Sequence, residues 1–451
     1  MQRQTGWKAK SKEDIKVIYE FSEGYKKFLD GAKTEREAVR YITDVLVQNG
    51  FDLDPSQEKV FAVNRNKSLM AFVRGSSDII EGLNIIVAHI DAPRLDLKQN
   101  PLYEDVDLAL LRTHYYGGIK KYQWVACPLA IHGIVIKADG RSVDICIGES
   151  DDDPVFMIDD LLPHLSRKTQ DEKKLSEAID GEKLVVLFGS LPLAGMEKEP
   201  VKHYILKMLE DKYGMTEDDF ITAELEVVPA FKARDVGFDR SMIGAYGQDD
   251  RSAAYPLLEA ICRVRDPKRS CLAIFADKEE IGSEGATGIQ SHFLQVFLDD
   301  IVNGMGLEAD DSIIRKILYD SKALSADVNG AVNPTFQEVH EKQNASYLGR
   351  GPCLTKFTGH AGKVGASDAN AEYVAEIVRL FNDAGVMWQT GELGKIDEGG
   401  GGTVAKHLAI YGMDIIDCGP ALLAMHSPFE LSSKLDIYES YRAFTVFFAA
   451  Q

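Results

Sequence analysis

The run Cys271-Leu272-Ala273-Ile274-Phe275-Ala276 is short and apolar, and it breaks directly into Asp277-Lys278-Glu279-Glu280-Ile281-Gly282-Ser283. An apolar run of this length predicts a buried strand, and the polar break predicts its end. Adjacent carboxylates at a strand's carboxyl end point in divergent directions, so one can bind a metal while the other works on a water. Two solvated loop acids are the competing reading when the pair is taken alone.

Four other places offer ligands of the same kind. Asn84-Ile85-Ile86-Val87-Ala88-His89-Ile90-Asp91 reads as an apolar strand that delivers a His-x-Asp. Imidazole suits a divalent transition metal, and Asp91, two residues along, is on the same side to orient that imidazole or hold its tautomer. In Gly247-Gln248-Asp249-Asp250-Arg251-Ser252 paired acids precede a helix-like stretch, Ala253 to Val264. Ser325-Ala326-Asp327-Val328 and Ala424-Met425-His426-Ser427-Pro428 complete the set, the latter at the end of an apolar segment. Each alone also reads as a capping acid, a turn acid or a core histidine with satisfied hydrogen bonds.

Taken in order, His89-x-Asp91, Gln248-Asp249-Asp250, Glu279-Glu280, Ser325-Ala326-Asp327 and Met425-His426-Ser427 resemble the co-catalytic zinc aminopeptidases, and more narrowly the aspartyl-aminopeptidase family. Tyr115-Tyr116-Gly117-Gly118-Ile119, Leu162-Pro163-His164-Leu165 and Gly399-Gly400-Gly401-Gly402-Thr403 add to the resemblance, which runs from about residue 15 to the C-terminus. It implies two zinc ions per subunit, with cobalt or manganese as alternative occupants of the same donors. In that scheme Asp249 bridges both ions, Glu280 and His426 hold one, and His89 and Asp327 hold the other. Glu279, just before the ligand Glu, is the implied general base, and Asp91 belongs with it in the catalytic set.

Two cores are the prior for 451 residues, and 45% hydrophobic with 27% charged residues is ordinary for a globular enzyme. A formal net charge of -20 argues against nucleic-acid partners, which favour a basic face. No segment approaches the ~20 apolar residues needed to cross a bilayer. The opening Met1-Gln2-Arg3-Gln4-Thr5-Gly6-Trp7-Lys8 has no apolar core like that of a signal peptide. Six cysteines form no Cys-x-x-Cys pair and mostly sit inside apolar runs, the pattern of buried thiols. Together these predict a reduced, cytoplasmic protein.

Along the chain, residues 12 to 49 carry helical periodicity, and strand-like runs follow at Val60 to Val63, Ser68 to Val73 and Leu83 to His89. Beyond Pro93 the texture turns to short alternating segments such as Ala130 to Lys137 and Ser142 to Ile147. Strand-then-helix alternation resumes near Ser241. His89 lies 160 residues before Asp249, yet both must reach one metal pair. The expected architecture is therefore α/β: a mixed-sheet catalytic domain in two parts, 1–94 and 237–451, split by an inserted β-rich domain over 95–236. In an open α/β sheet, ligands from several strand ends converge at the carboxyl edge.

Substrate contacts are carried by fewer signals. The glycines Gly399 to Gly402 read as a loop that lets backbone such as Gly401 approach substrate or metal. In the resembling family a histidine at the place of His164 reaches into a neighbouring subunit's active site, so His164 is expected to contact substrate rather than metal. Lys356 matches the basic residue of members that prefer acidic N-terminal residues, but Phe357-Thr358-Gly359-His360 departs from their pattern. The family further implies dimers built through the insertion and a dodecamer of six dimers, with peptides as substrates. A non-catalytic metal-binding assembly protein on the same scaffold, or another amide hydrolase of the wider clan, is the alternative. Glu279 discriminates the first of these, because a structural metal site needs no base.

Overall fold

A computed structural model describes residues 4–450, and its chain folds as two compact units. The first comprises the chain up to Ala92, Ala233–Met425 and the residues from Glu430 onward; the second comprises Pro93–Lys232 and His426–Phe429. The second unit thus takes in four residues from the C-terminal part of the chain, beyond the single stretch 95–236 that local texture marks out.

The first unit is built on an eight-stranded mixed sheet. Its strand order is Lys59–Asn64, Ser68–Val73, Cys271–Ala276, Asn84–His89, Lys322–Ser325, Asp414–Gly419, Cys353–Thr355 and Gln389–Thr390. Asn84–His89 runs parallel to both Cys271–Ala276 and Lys322–Ser325, so His89, Glu279-Glu280 and Asp327 all leave the sheet at one carboxyl edge. The register sets His89 opposite Ala276 and Val87 opposite Ser325.

Strand alternation explains why these runs are apolar throughout. Ile86 and Ala88 with Ala273 and Phe275 enter one core, whereas Ile85 and Val87 with Leu272 and Ile274 enter the other. Helices Lys12–Gly31, Glu35–Gln48, Gln248–Arg263, Ala371–Asp383 and Lys434–Phe448 cover the first face. Phe293–Gly304, Asp311–Tyr319 and Ala405–Ala409 cover the second. Both faces are covered by buried apolar side chains, as the parallel strands at the centre of the sheet require.

The periodicity over 12 to 49 resolves into two helices because Thr34 starts the second as a capping box. Its hydroxyl accepts the N–H of Glu37, and the Glu37 carboxylate accepts the N–H of Thr34. The helix foreseen from Ala253 begins earlier, at Gln248, but Asp249 (φ −81°, ψ 109°) and Asp250 (φ −110°, ψ 24°) lie outside helical geometry. The peptide between them is cis.

The second unit is an antiparallel seven-stranded sheet, ordered Ser142–Ile147, Leu129–Ile136, Ala223–Pro229, Arg94–Asp105, Leu108–Tyr116, Val185–Gly189 and Met157–Ile158. The helix Pro200–Tyr213 buries Val201, Ile205 and Leu209. All six cysteines are free; Cys262, Cys271, Cys353 and Cys418 are buried, whereas Cys146 is exposed and Cys127 half-buried. Among the described residues no helix is long and apolar enough to cross a membrane.

Candidate metal centre

At the carboxyl edge of the first unit's sheet, one imidazole meets a ring of carboxylates. Donor atoms lie within 4.8 Å of one another in three overlapping groups: His89 with Asp249 and Glu280, His89 with Glu279 and Asp327, and Asp249 with Asp250 and Asp327. His89 Nε2 is 3.1 Å from Asp249 Oδ1 and 3.9 Å from Asp327 Oδ1. Two ligands about one zinc ion, with bonds of ~2.0–2.1 Å in a tetrahedron, stand roughly 3.3 Å apart, so the nearer pair has the spacing of donors sharing an ion.

The tautomer of His89 follows from its other nitrogen. Nδ1 lies 3.1 Å from the Asp91 carbonyl and 3.3 Å from the Asp91 carboxylate, both of which can only accept, so Nδ1 carries a hydrogen, and Nε2, which faces the Asp249 and Asp327 carboxylates, is the nitrogen left to share a proton or a cation with them. Asp91, fully buried, does more than sequence reasoning assigned to it. Its Oδ1 accepts the N–H of Glu279 at 3.1 Å and its Oδ2 the N–H of Glu280 at 3.2 Å. One carboxylate therefore orients a histidine and holds the backbone of both glutamates.

The site's electrostatics match a cation-binding pocket. Burial, then the charges of Asp327 and Asp249, push the Asp250 carboxyl well above its usual range against the pull of His89. Burial and then Glu279 do the same to Asp327. Burial alone lowers the His89 imidazole, but hydrogen bonds to Asp249 and Asp91 outweigh it and raise it well above its ordinary value. Five carboxylates around one imidazole, largely shielded from water, are a donor set whose charge a divalent cation balances. A mixed imidazole and carboxylate set suits zinc.

Asp250 is a member of the cluster that local reading passed over in favour of its neighbour. Its Oδ2 accepts the N–H of His89 at 3.1 Å, which ties the turn Asp249-Asp250 to the end of the strand Asn84–His89. The adjacent acid pair was the available signal. The loop after Cys271–Ala276 is pinned as well: Thr287 donates to the buried Asp277 at 2.5 Å, and Asp277 and Gly288 form a parallel bridge. Lys278, at φ 68°, turns the chain so that Glu279 and Glu280 enter the short helical turn Glu279–Ile281.

The remaining expected residues are not members of these three groups. His426 belongs to the second unit, where its Nδ1 is 2.8 Å from the Gly118 carbonyl, so that nitrogen carries a hydrogen. The motif Gly117-Gly118 thus has a concrete use as the acceptor for a histidine. His164 is exposed on the short helix Pro163–Ser166, which Pro163 begins. Lys356 and Gly401 are exposed in the first unit. The glycine run is not a plain loop: Gly400–Gly401 pairs antiparallel with Gly359–His360, so close that a Cβ on Gly400 would lie 2.2 Å from the Gly359 carbonyl oxygen.

Comparison with known proteins gives one consistent family. The Aminopeptidase I zinc metalloprotease (M18) family profile matches residues 28–448. A "Probable M18 family aminopeptidase 1" of Clostridium acetobutylicum is 50% identical over 454 residues, covering 98% of this chain and 97% of that protein. The crystal structure of an M18 family aminopeptidase from Thermotoga maritima superposes with a TM-score of 0.95 at 48% identity, covering 99% of both chains. A more distant structure, the S. cerevisiae aminopeptidase 1 dodecamer, shares the fold at 20% identity, with a TM-score of 0.76 and 96% of each chain covered. The chain belongs to the M18 family of zinc metallo-aminopeptidases, hydrolases that act on peptides.

Proposed function

We propose that this metallo-aminopeptidase works with two zinc ions per subunit, Asp249 bridging them, His426 and Glu280 completing one set of ligands and His89 and Asp327 the other. Cobalt or manganese fits the same donors. Bound there, the ions supply Lewis acidity to the attacking water and to the scissile carbonyl. Glu279 takes the proton from that water and returns it to the leaving amine. The observation that carries this reading is the fixing of Glu279: Asp91 holds its backbone, and its carboxylate groups with His89 and Asp327. A non-catalytic metal protein has no use for an acid presented in this way.

The ligand roles are tested by metal analysis of purified variants. Asp249→Ala is expected to lose both ions, because a bridging carboxylate holds both and screens one from the other. Asp327→Ala is expected to lose one. Equal single-ion loss from the two variants contradicts the bridging role.

Substrate recognition and assembly extend the proposal. Lys356 offers a charge for an acidic N-terminal side chain and Gly401 a close backbone approach. His164 is proposed to contact substrate in a neighbouring subunit's site, within dimers formed through the second unit and then a cytoplasmic dodecamer. Its surroundings support a role in assembly: Leu162 and Leu165 on either side are 50% and 64% exposed, unusual for apolar residues that stay in water. His164→Phe is expected to lower turnover with both ions retained. Mixing it with Glu279→Gln then yields hybrid dimers with one restored site, since each subunit supplies what the other lacks. Subunit exchange without regained activity removes His164 from the neighbour's site.

A further inference from the structure

Two buried charged residues outside the ligand set, Glu430 and Arg251, converge on the turn that carries Asp249; each is 1% exposed. We propose that Glu430 is a positioning residue of the metal centre, holding the backbone of Gln248 and Asp249 so that the Asp249 carboxylate faces His89 and Asp327. Glu430 Oε2 accepts the N–H of Gln248 at 2.5 Å and that of Asp249 at 3.2 Å. A single anionic oxygen accepts both because Gln248 and Asp249 lie in the non-helical turn that leads into the helix, where buried backbone N–H groups need an acceptor from elsewhere in the fold.

Glu430 is itself held in place. It begins the strand Glu430–Ser433 and pairs with Ala245, two residues before the turn. The Gln248 amide closes the arrangement, donating to the carbonyls of Glu430 at 2.7 Å and Ile243 at 3.1 Å. Its oxygen accepts from Ser432 at 2.5 Å and Tyr25 at 3.1 Å, so the amide has one orientation that satisfies every contact.

Arg251 donates to the carbonyls of Ile90 and Lys33, both at 3.0 Å, and so reaches the residue between His89 and Asp91. Gly247, at φ 69°, is where the chain enters the turn; a Cβ there would stand 1.8 Å from Arg251 Nη1. The turn Gly247–Asp250 is therefore held by an anion on its N–H groups and by a cation that meets the Gly247 carbonyl at 3.5 Å and ties it to Ile90 and Lys33. Removing the anion leaves two buried N–H groups unmatched, and the turn must shift to satisfy them. A shift there moves Asp249, the residue proposed to bridge both ions.

The test is zinc titration of the chelator-stripped full-length protein, with kcat and KM of the reloaded enzyme, for Glu430→Ala, Glu430→Asp and Glu430→Gln. Partners that orient metal ligands typically contribute 10- to 100-fold in affinity, and Glu430→Ala is expected to bind zinc weaker by about that factor, with kcat falling and KM held. Glu430→Asp keeps the charge but withdraws it by one methylene, so it too is expected to weaken zinc binding. Glu430→Gln, whose carbonyl oxygen still accepts both N–H groups, is expected to stay within about threefold of wild type. Should Glu430→Ala fail to fold, the Asp and Gln variants decide alone. Wild-type zinc affinity in the folded Ala or Asp variant, or equal weakening in Gln and Ala, overturns the proposal. The inference rests on the ligand role proposed for Asp249, so Asp249→Ala is titrated alongside. If Asp249→Ala keeps both ions, that reading fails and takes this one with it; if it loses them while Glu430→Ala does not, only the Glu430 role fails.

Discussion

Glu279→Gln is expected to keep both metal ions and lose turnover by roughly 10²–10⁴, the range associated with removing a general acid–base group. The amide fills the same space and still meets Asp91 through its backbone N–H, so the loop Lys278–Gly282 has no reason to move. What disappears is the capacity to accept the water's proton, since an amide oxygen is a very weak base. Donor sets around the ions change little, because Glu280 rather than Glu279 is the proposed ligand. The informative measurement is therefore a pair: kcat for an aminoacyl substrate and zinc content of the same sample. Near-wild-type turnover at full metal content removes Glu279 from the role; lost turnover accompanied by lost zinc makes it a ligand instead.

Much of this centre is legible in the residues because its parts sit at the ends of short apolar strands. Cys271–Ala276 and Asn84–His89 are apolar on both faces, which marks central strands, and the polar residue that ends each run is where a carboxyl-edge site begins. Local signals of this kind identified His89, Asp249, Glu279, Glu280, Asp327 and His426 as candidates. They did not reveal Glu430, because its bonds reach residues 181 and 182 positions away and go to backbone N–H groups, which leave no trace in side-chain chemistry. Asp250 stayed hidden behind Asp249 for a related reason: in a helix the two acids face different ways, but here both depart from helical φ/ψ and both join the cluster. The glycine run was ambiguous in the same sense, since pairing of Gly400–Gly401 with Gly359–His360 depends on a distant partner strand. Second-unit membership of His426–Phe429 is likewise a tertiary outcome that no local texture announces.

Asp91→Ala is the other substitution with a large expected effect, because one buried carboxylate serves three functional residues. It faces His89 Nδ1 and accepts the N–H groups of Glu279 and Glu280. Truncation leaves two N–H groups without this acceptor in a part-buried loop, each costing about 1–3 kcal/mol unless the backbone moves. Movement is the cheaper response, and it displaces the base and a ligand together. Loss of an orienting partner typically weakens metal binding 10–100-fold, and misplacing a reacting group by ~1 Å costs on the order of 10². The product predicts kcat/KM lower by roughly 10³–10⁴ at limiting zinc. Excess zinc is expected to refill the site and recover the affinity component while leaving turnover about 10²-fold down, because saturation cannot return Glu279 to its place. Asp91→Asn, which keeps one acceptor oxygen but sets an N–H₂ against a backbone N–H, is expected to fall between Ala and wild type. Steady-state kinetics across a zinc series separates the two components. Full recovery by zinc alone would show that Asp91 acts only through His89 and the ions, and not through the peptide that carries Glu279.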